Sequence, residues 1–350
     1  MAPYGQRARQ HPRGIVDLSV GTPVDPTPEI IQRTLRESTN APGYPLTAGT
    51  QELRTAIKDW ATRRLGASGE FDVLPLIGSK ELVAWLPTLL EAKSVLYPEV
   101  AYPTYSVGAI LGSATGTAVP INPKMWPDAE LAWINSPSNP TGRVHSDDEM
   151  MEVIIWARRS TCVIASDECY LEFGHTANPT SILAFSGGDN TNILAVHSLS
   201  KRSSMAGYRA GFVIGDPKLV ARLREIRKHA GMIVPLPVQK AMIAALSDEV
   251  HVAEQRQRYN SRRERLAPAL SNVGFEIEES KAGLYIWCTR NEQDWDSIAW
   301  LAELGILATP GYFYGPKGDH HIRVALTATD ANIDEAVERL RRAATVPRNT

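Results

Sequence analysis

Six short apolar segments between residues 73 and 214 place the strongest constraint on how this chain can fold. None of them alternates apolar with polar side chains, and helix-forming stretches separate several of them. Strands without alternation are buried on both faces, which is typical of a parallel sheet covered by helices. We therefore predict an α/β domain with a mostly parallel sheet and helices on both of its faces. The six segments are residues 73–77, 94–97, 131–134, 162–165, 193–196 and 211–214.

Local signals add detail to the helices of this domain. Thr27 precedes Pro28, which predicts a helix over residues 28–39 with Thr27 as its N-cap. Trp60, Trp85 and Trp156 occur in helical stretches with apolar residues at helical spacing. We expect all three tryptophans to lie in the core.

The sequence changes character near residue 235, where long charged helical stretches replace the earlier alternation. Strand-like segments at 284–288 and 322–326 then lie among helices, which is an α+β pattern. We predict an N-terminal arm and strand (residues 1–30) that joins the small domain, a large domain (31–234) and a small C-terminal domain (235–350). The first residues contain basic side chains without an apolar stretch behind them, so we expect a flexible arm rather than a secretory signal.

Charge and composition argue against several classes of function. The 350 residues include 37 basic and 39 acidic side chains, so no concentrated positive surface is expected for nucleic acid or an anionic membrane. No apolar run approaches the length of a membrane span. The histidines lack metal-binding spacing, and Cys162, Cys169 and Cys288 lack paired spacing. We expect no metal, reduced thiols and a cytoplasmic location.

A lysine follows the strand-like segment 193–196 almost directly, in Ser198-Leu-Ser-Lys201. Ligands of open α/β sheets bind outside the carboxyl ends of the strands, where this lysine is expected to lie. A partly deprotonated lysine can form an imine with an aldehyde, and Ser198 with Arg209 would suit a phosphate. A single loop lysine is usually a surface residue, so the prediction depends on the combination.

The combined pattern resembles the class I and II aminotransferases, which are fold type I enzymes dependent on pyridoxal 5′-phosphate. The resemblance covers most of the chain, from Gly21 to Arg323. It implies that Lys201 carries the cofactor as a Schiff base in the large domain, with Ser198 and Arg209 at its phosphate. The matching motifs are residues 78–81, 101–105, 135–142, 165–170, 198–201 and 207–211.

The resemblance also assigns the residues around the cofactor ring. Asp167 would face the pyridine nitrogen and keep it protonated, which makes the ring an electron sink. Asn139 and Tyr170 would contact the phenolic oxygen, and Tyr102 would stack on the ring. Glu168 should point to the other side of the strand end and be structural.

The helix start at residues 78–81 would bind the cofactor phosphate. Ser79 and Lys80 would act there through main-chain N–H groups, so the charge of Lys80 would not be needed. Tyr44 matches a tyrosine that reaches the phosphate of the neighbouring subunit's cofactor. The resemblance thus implies a homodimer with shared active sites.

Substrate binding is implied at three positions. The guanidinium fork of Arg323 would hold the α-carboxylate and fix the Cα–H for abstraction. The backbone of Gly21 would lie over that carboxylate, and Asn139 would contribute to substrate binding as well. With Lys201 as general base and acid, the resemblance implies a ping-pong transfer of an amino group between an amino acid and a 2-oxo acid.

The substrate itself is less constrained by the sequence. Local stretches such as residues 77–87 and 313–316 resemble the actinobacterial succinyldiaminopimelate aminotransferases of lysine biosynthesis, which use N-succinyl-LL-2,6-diaminopimelate and 2-oxoglutarate. Aspartate, LL-diaminopimelate and histidinol-phosphate aminotransferases are alternatives, and no residue is identified for a distal carboxylate. A fold type I lyase is disfavoured because Arg323 would hold the α-carboxylate in place. A transcription regulator of related fold would need a DNA-binding domain ahead of it.

Overall fold

The strands of the computed structural model, which describes residues 1–345, belong mostly to one large sheet. Several smaller strands lie near the N-terminus and in the C-terminal third. In chain order they are β1 (Val16–Asp17), β2 (Asp72–Ile77), β3 (Ser94–Pro98), β4 (Thr115–Val119), β5 (Leu131–Asn135), β6 (Val163–Asp167), β7 (Ile193–Ser198), β8 (Ala210–Gly215), β9 (Glu276–Glu278), β10 (Tyr285–Thr289), β11 (Ile306–Leu307), β12 (Thr309–Pro310) and β13 (His321–Ala325).

Helices occur between most of these strands and at both ends of the described chain. A π-helical turn, residues 61–65, extends the third of them. In chain order the helices are α1 (Ala2–Arg9), α2 (Glu29–Glu37), α3 (Gln51–Trp60), α4 (Ser79–Leu90), α5 (Thr104–Leu111), α6 (Asp147–Ser160), α7 (Leu199–Arg202), α8 (Pro217–His229), α9 (Leu236–Ser247), α10 (Val250–Ser271), α11 (Asp294–Glu303) and α12 (Asp330–Thr345).

The large sheet has the order β2-β8-β7-β6-β5-β3-β4. Strand β8 is antiparallel to both of its neighbours, and the other pairings in this sheet are parallel. The prediction of a mostly parallel α/β sheet is confirmed, and each of the six predicted strands is present. Strand β4 was missed because it is an edge strand whose residues are largely exposed, so it lacks an apolar signal.

Apolar clusters cover both faces of this sheet. Successive residues of β2 point to opposite faces, so Val73 belongs to one cluster and Leu74 to the other. Trp60 of α3 lies in the first cluster, and Leu86 of α4 lies in the second. Burial of one such aliphatic side chain stabilises the fold by about 1.5–3 kcal/mol. The apolar runs are therefore explained by burial on both faces.

The C-terminal third has its own sheet, of order β12-β13-β10-β9, and an apolar cluster around it. Strand β1 pairs in parallel with β11, which attaches the N-terminal strand to this part of the molecule. Helix α9, in contrast, packs against α2 and α3 and contributes to the core of the large sheet. The division of the chain at residue 235 into two domains stays a prediction.

Three local predictions were wrong. The first residues form helix α1 rather than a flexible arm, because Tyr4 stacks on Trp295 with ring centres 5.4 Å apart and Ala8 is fully buried. The N-cap of α2 is Pro28, since the Thr27 hydroxyl donates to the Ser204 carbonyl instead of capping the helix. Trp85 is 38% exposed on α4, whereas Trp60 and Trp156 are buried as expected.

Within residues 1–345, no helix combines the length and the apolar character that a membrane span requires.

Candidate active site

A cavity of about 530 Å³ lies at the carboxyl ends of the central parallel strands. Strands β5, β6 and β7 end there at Asn135, Asp167 and Ser198, and all three residues line it. Among the described residues, the cavity is lined by every predicted site residue except Tyr44. Those residues are Gly21, Ser79, Lys80, Tyr102, Asn139, Asp167, Tyr170, Ser198, Lys201, Arg209 and Arg323.

Lys201 lies in the short helix α7, immediately after β7. Its ammonium donates a hydrogen bond to the carbonyl oxygen of Gly21, in the segment that follows β1. Burial lowers the pKa of Lys201 to about 8, because the surrounding protein solvates the charged amine less well than water does. A lysine with this pKa is partly neutral near physiological pH, as a nucleophilic amine must be.

Asp167 is buried at the end of β6, and its carboxylate accepts two hydrogen bonds. The Tyr105 hydroxyl donates to Oδ2 at 2.9 Å, and the main-chain N–H of Cys169 donates to Oδ1 at 3.2 Å. Burial raises the pKa of Asp167, and these two donors act in the opposite direction by favouring the ionised form. The carboxylate is thus held in one orientation at the cavity wall.

One end of the cavity is rich in groups that suit an anion. Helix α4 begins at Ser79, so its first main-chain N–H groups point toward this end. Gly78 adopts a φ of 72°, and a Cβ built on it would lie 2.2 Å from Nη2 of Arg209. Only glycine therefore allows this approach of the guanidinium to the helix start. The Ser198 hydroxyl accepts from the N–H of Ser200 and lines the same cavity.

Arg323, on β13, lies at the opposite side and is buried. Its Nη1 donates to Oδ1 of Asn139 at 3.0 Å, and its Nη2 donates to the carbonyl oxygen of Ser19 at 2.8 Å. Each terminal nitrogen carries two N–H groups, so each keeps a second donor for a ligand. Asn139 is positioned in turn by Asn135, whose Oδ1 accepts from the Asn139 N–H at 2.7 Å. The Ser136–Pro137 and Asn139–Pro140 peptide bonds are both cis.

Three tyrosines of the site were not predicted as site residues from the sequence. Tyr105 holds Asp167, and the rings of Tyr285 and Tyr314 lie 4.0 and 4.9 Å from the guanidinium carbon of Arg323. Tyr105 lies in the motif at residues 101–105, but nothing in the sequence alone indicates that its hydroxyl reaches β6. Tyr285 lies on β10 and Tyr314 in a short helical turn before β13, and only the folded structure shows that both rings contact Arg323.

Glu168 points away from the cavity, as predicted from the alternation of side chains along a strand end. It is buried on the other side of the sheet, where Oε1 accepts from the Ser166 hydroxyl and the Ile182 N–H. Its Oε2 lies 3.1 Å from Nε2 of His197. These contacts give Glu168 a structural explanation.

Tyr44 is fully exposed and does not line the cavity of its own chain. The predicted contact with a neighbouring subunit therefore stays a prediction. Within residues 1–345, no group of three or more His, Cys, Asp or Glu side chains is arranged to hold a metal ion.

The family model described as aminotransferase class I and II matches residues 13–340. The chain belongs to this family. A probable aminotransferase of Mycobacterium tuberculosis is 54% identical over 341 residues, which cover 95% of this chain and 82% of the relative. The 4-dedimethylamino-4-oxo-anhydrotetracycline transaminase of Streptomyces rimosus is 49% identical over 348 residues, 97% of each protein.

A solved structure of the same family confirms the fold class. The probable N-succinyldiaminopimelate aminotransferase of Thermus thermophilus superimposes with a TM-score of 0.87 at 28% identity, and the match covers 98% of each chain. The predicted membership of the class I and II aminotransferases, with fold type I architecture, is therefore confirmed.

Aminotransferases of this class depend on pyridoxal 5′-phosphate, and the residues present fit that cofactor. The end of the cavity formed by the start of α4, Ser198 and Arg209 offers the donors that a phosphate requires. Asp167 supplies a fixed carboxylate for a pyridine nitrogen, and Lys201 supplies an amine of lowered pKa for the aldehyde. The size and the donor set of the cavity thus agree with the family's cofactor.

Proposed function

We propose that this aminotransferase transfers the amino group of N-succinyl-LL-2,6-diaminopimelate to 2-oxoglutarate, in two half-reactions that share one site. The observation on which the chemistry rests is the arrangement of Lys201, Asp167 and Arg323 around a single cavity. An amine of lowered pKa, a fixed carboxylate and a carboxylate-binding guanidinium are the groups that amino-group transfer requires.

Arg323 binds the α-carboxylate of the amino acid in this proposal. Asn139 and the Ser19 carbonyl hold the guanidinium in place, so the fork is oriented before the substrate arrives. The main chain of Gly21 lies beside the same position. Fixing the carboxylate orients the Cα–H bond toward Lys201.

The proton transfer is assigned to Lys201. When bound, the cofactor supplies an electron sink for the charge that develops at the substrate Cα. The neutral amine of Lys201 would take the proton from the substrate Cα as a general base, and the ammonium so formed would return it as a general acid. Asp167 would hold the proton of the pyridine nitrogen, and the hydroxyl of Tyr170 and the amide of Asn139 would bind the phenolic oxygen.

The remaining residues would anchor the cofactor. Arg209, the Ser198 hydroxyl and the N–H groups of Ser79 and Lys80 would bind the phosphate. Tyr102 would stack on the cofactor ring, and the ring of Tyr105 meets the Tyr102 ring edge to face, with ring centres 5.8 Å apart. These positions differ from Lys201 in that they bind without transferring a proton.

Two observations support the choice of amino donor. Residues 77–87 and 313–316 resemble succinyldiaminopimelate aminotransferases, and the structurally similar Thermus thermophilus protein is named as a probable enzyme of that kind. A second candidate is the amination of a polycyclic ketone, because the Streptomyces rimosus relative is named for such a substrate. The two candidates differ in charge, since only the diaminopimelate derivative offers an α-carboxylate to Arg323.

We also propose a homodimer in which Tyr44 reaches the partner's phosphate site. Tyr44 and Leu46 project from the chain surface, and Trp85 of α4 is exposed as well. Helix α5, which packs against α4, adds further exposed apolar side chains at Val107, Ile110 and Leu111. A surface of this kind is typical of a protein–protein interface.

Absorbance spectroscopy on the purified protein tests the cofactor lysine. The wild type should show the visible band of a lysine-linked cofactor, and Lys201→Ala should lose it. Lys93→Ala, which removes an exposed lysine outside the cavity, should keep the band. A band that persists in Lys201→Ala would show that another amine binds the cofactor.

A half-reaction screen tests the donor. Candidate amino compounds are added one at a time without an oxo acid, and the loss of the visible band is followed. N-succinyl-LL-2,6-diaminopimelate should convert the band fastest. Glutamate should follow, because it is the product of the second half-reaction and donates its amino group when that half-reaction runs in reverse. Faster conversion by an aminated polycycle would favour the second candidate, and faster conversion by aspartate would favour a general aspartate aminotransferase.

A further inference from the structure

Tyr285 lies between the part of the cavity assigned to the cofactor and the part assigned to the substrate. Its hydroxyl oxygen lies 3.2 Å from that of Tyr170, and the two rings meet edge to face. The guanidinium carbon of Arg323 lies 4.0 Å from the centre of the Tyr285 ring. One side chain thus contacts a residue on each side of the reacting atoms.

The backbone of Gly21 completes the packing around the Tyr285 hydroxyl. A Cβ built on Gly21 would lie 2.1 Å from that oxygen, so any larger residue would displace the tyrosine or the loop. The carbonyl of the same glycine accepts from the ammonium of Lys201. Tyr285 therefore packs against the loop that also orients the catalytic amine.

The hydrogen bond between the two hydroxyls has one direction that suits catalysis. Burial and the neighbouring Tyr285 raise the pKa of Tyr170 well above its ordinary value, so its hydroxyl stays protonated. If Tyr170 donates its proton to the phenolic oxygen of the cofactor, its own oxygen is left to accept. Tyr285 is the donor within reach among the described residues of the cavity.

We propose that Tyr285 is a positioning residue for both halves of the site. Its hydroxyl donates to Tyr170 and directs the Tyr170 proton toward the cofactor, while its ring backs the guanidinium of Arg323. Donors in series polarise each other, so the first hydrogen bond strengthens the second. The ring acts through the attraction between a cation and an aromatic face, to which Tyr314 contributes from 4.9 Å.

The role assigned to Tyr285 rests on the proposed function of Tyr170 and Arg323, and two substitutions separate its hydroxyl from its ring. Tyr285→Phe removes the hydroxyl and keeps the ring, and Tyr285→Leu removes both. Tyr259→Phe is the matched control, because Tyr259 is buried in the same cluster but does not line the cavity. All variants are measured as holoenzymes, with thermal denaturation to confirm that they fold.

Tyr285→Phe should shift the pH midpoint of the visible absorbance of the resting holoenzyme to higher pH. The reason is that the phenolic oxygen of the cofactor would receive a weaker hydrogen bond from Tyr170. That oxygen would then hold the proton that it shares with the imine of Lys201 more tightly. The value of kcat should fall about three- to tenfold, the loss expected for one hydrogen bond. The affinity for succinate, a carboxylate that cannot be aminated, should stay within about twofold in calorimetry because the ring is still present. Tyr285→Leu should show the same midpoint shift and an about fivefold weaker affinity for succinate.

The proposal is overturned if Tyr285→Phe leaves the midpoint at the wild-type value, or if Tyr285→Leu binds succinate as tightly as the wild type does. A shift of equal size in Tyr259→Phe would also overturn it, since the effect would then be a general one. Failure of the proposed function looks different: the wild type itself would lack the visible band or would convert no amino donor.

Discussion

The hydroxyl of Tyr105 donates a hydrogen bond of 2.9 Å to Oδ2 of Asp167, and both groups are buried. Tyr105 lies on α5 and Asp167 at the end of β6. The contact therefore joins a helix that covers one face of the large sheet to a central strand of that sheet. Burial raises the pKa of Tyr105 well above its ordinary value, and the nearby carboxylate raises it further. Tyr105 is therefore a hydrogen-bond donor throughout the working pH range.

Replacing Tyr105 by phenylalanine should slow the reaction without abolishing cofactor binding. Loss of a hydrogen bond to a charged group costs about 1.5–3 kcal/mol, and it would raise the pKa of Asp167. A less ionised Asp167 holds the pyridine proton less well, so the rate of the half-reaction should fall about tenfold or more. Stopped-flow absorbance measures that rate, with Tyr259→Phe as control. An unchanged rate would mean that the Cys169 N–H alone suffices to hold the carboxylate.

The lowered pKa of Lys201 predicts a pH-dependent stability of the cofactor-free protein. The unfolded chain keeps the lysine proton up to about its ordinary pKa of 10.5, whereas the folded chain releases it at about 8. Between these pH values unfolding takes up a proton, so the free energy of unfolding rises with pH. Below pH 8 both states are protonated, and the buried charge destabilises the fold.

Lys201→Met should therefore be more stable than the wild type at pH 7, by up to about 3 kcal/mol from the size of the pKa shift. The difference should shrink as pH rises from about 8 to 10.5. Denaturant unfolding of both proteins at several pH values measures it, and Lys93→Met controls for the loss of one exposed lysine. A difference that is constant with pH would show that Lys201 titrates normally in the folded chain.

The sheet and most of the cavity residues could be predicted from the sequence, for a physical reason. Strands buried on both faces have continuous apolar runs, and open α/β sheets bind ligands at the carboxyl ends of their strands. Asp167 and Lys201 could therefore be assigned to that edge of the sheet from the sequence alone. Strand β4 has no such run because one edge of the sheet is exposed. Its absence from the prediction follows from the same rule.

Contacts between distant segments could not be predicted in the same way. Tyr285 and Arg323 lie on paired antiparallel strands, and their closeness depends on a register that no local pattern specifies. Helix α1 was missed for a related reason, since its short amphipathic stretch becomes stable only when it packs on α11, where Tyr4 stacks on Trp295. Tertiary packing decides both cases.

Arg323→Lys should weaken binding of the amino donor although it preserves the charge. An ammonium cannot reproduce the planar fork, and it would not span Asn139 and the Ser19 carbonyl together. We expect KM to rise about tenfold or more, and Arg323→Ala to cost about 2–5 kcal/mol in binding. Steady-state kinetics on the donor measure both, with the exposed Arg7→Lys as control. A fall in kcat alone, with KM unchanged, would contradict the assignment of Arg323 to the α-carboxylate.

Mixed dimers test whether Tyr44 acts across the subunit boundary. Tyr44→Ala and Lys201→Ala should each be nearly inactive, because one loses a phosphate contact and the other the catalytic amine. When the two variants are unfolded together and refolded, hybrid dimers should contain one site with both native residues, provided that Tyr44 reaches the partner's cavity. Activity should then recover to about a quarter of the wild-type value, since half of the dimers are hybrids with one intact site each. If Tyr44 served its own chain, no site in a hybrid would hold both residues and activity would not recover. Size-exclusion chromatography with light scattering provides the parallel check, because a monomeric and fully active wild type would exclude a shared site.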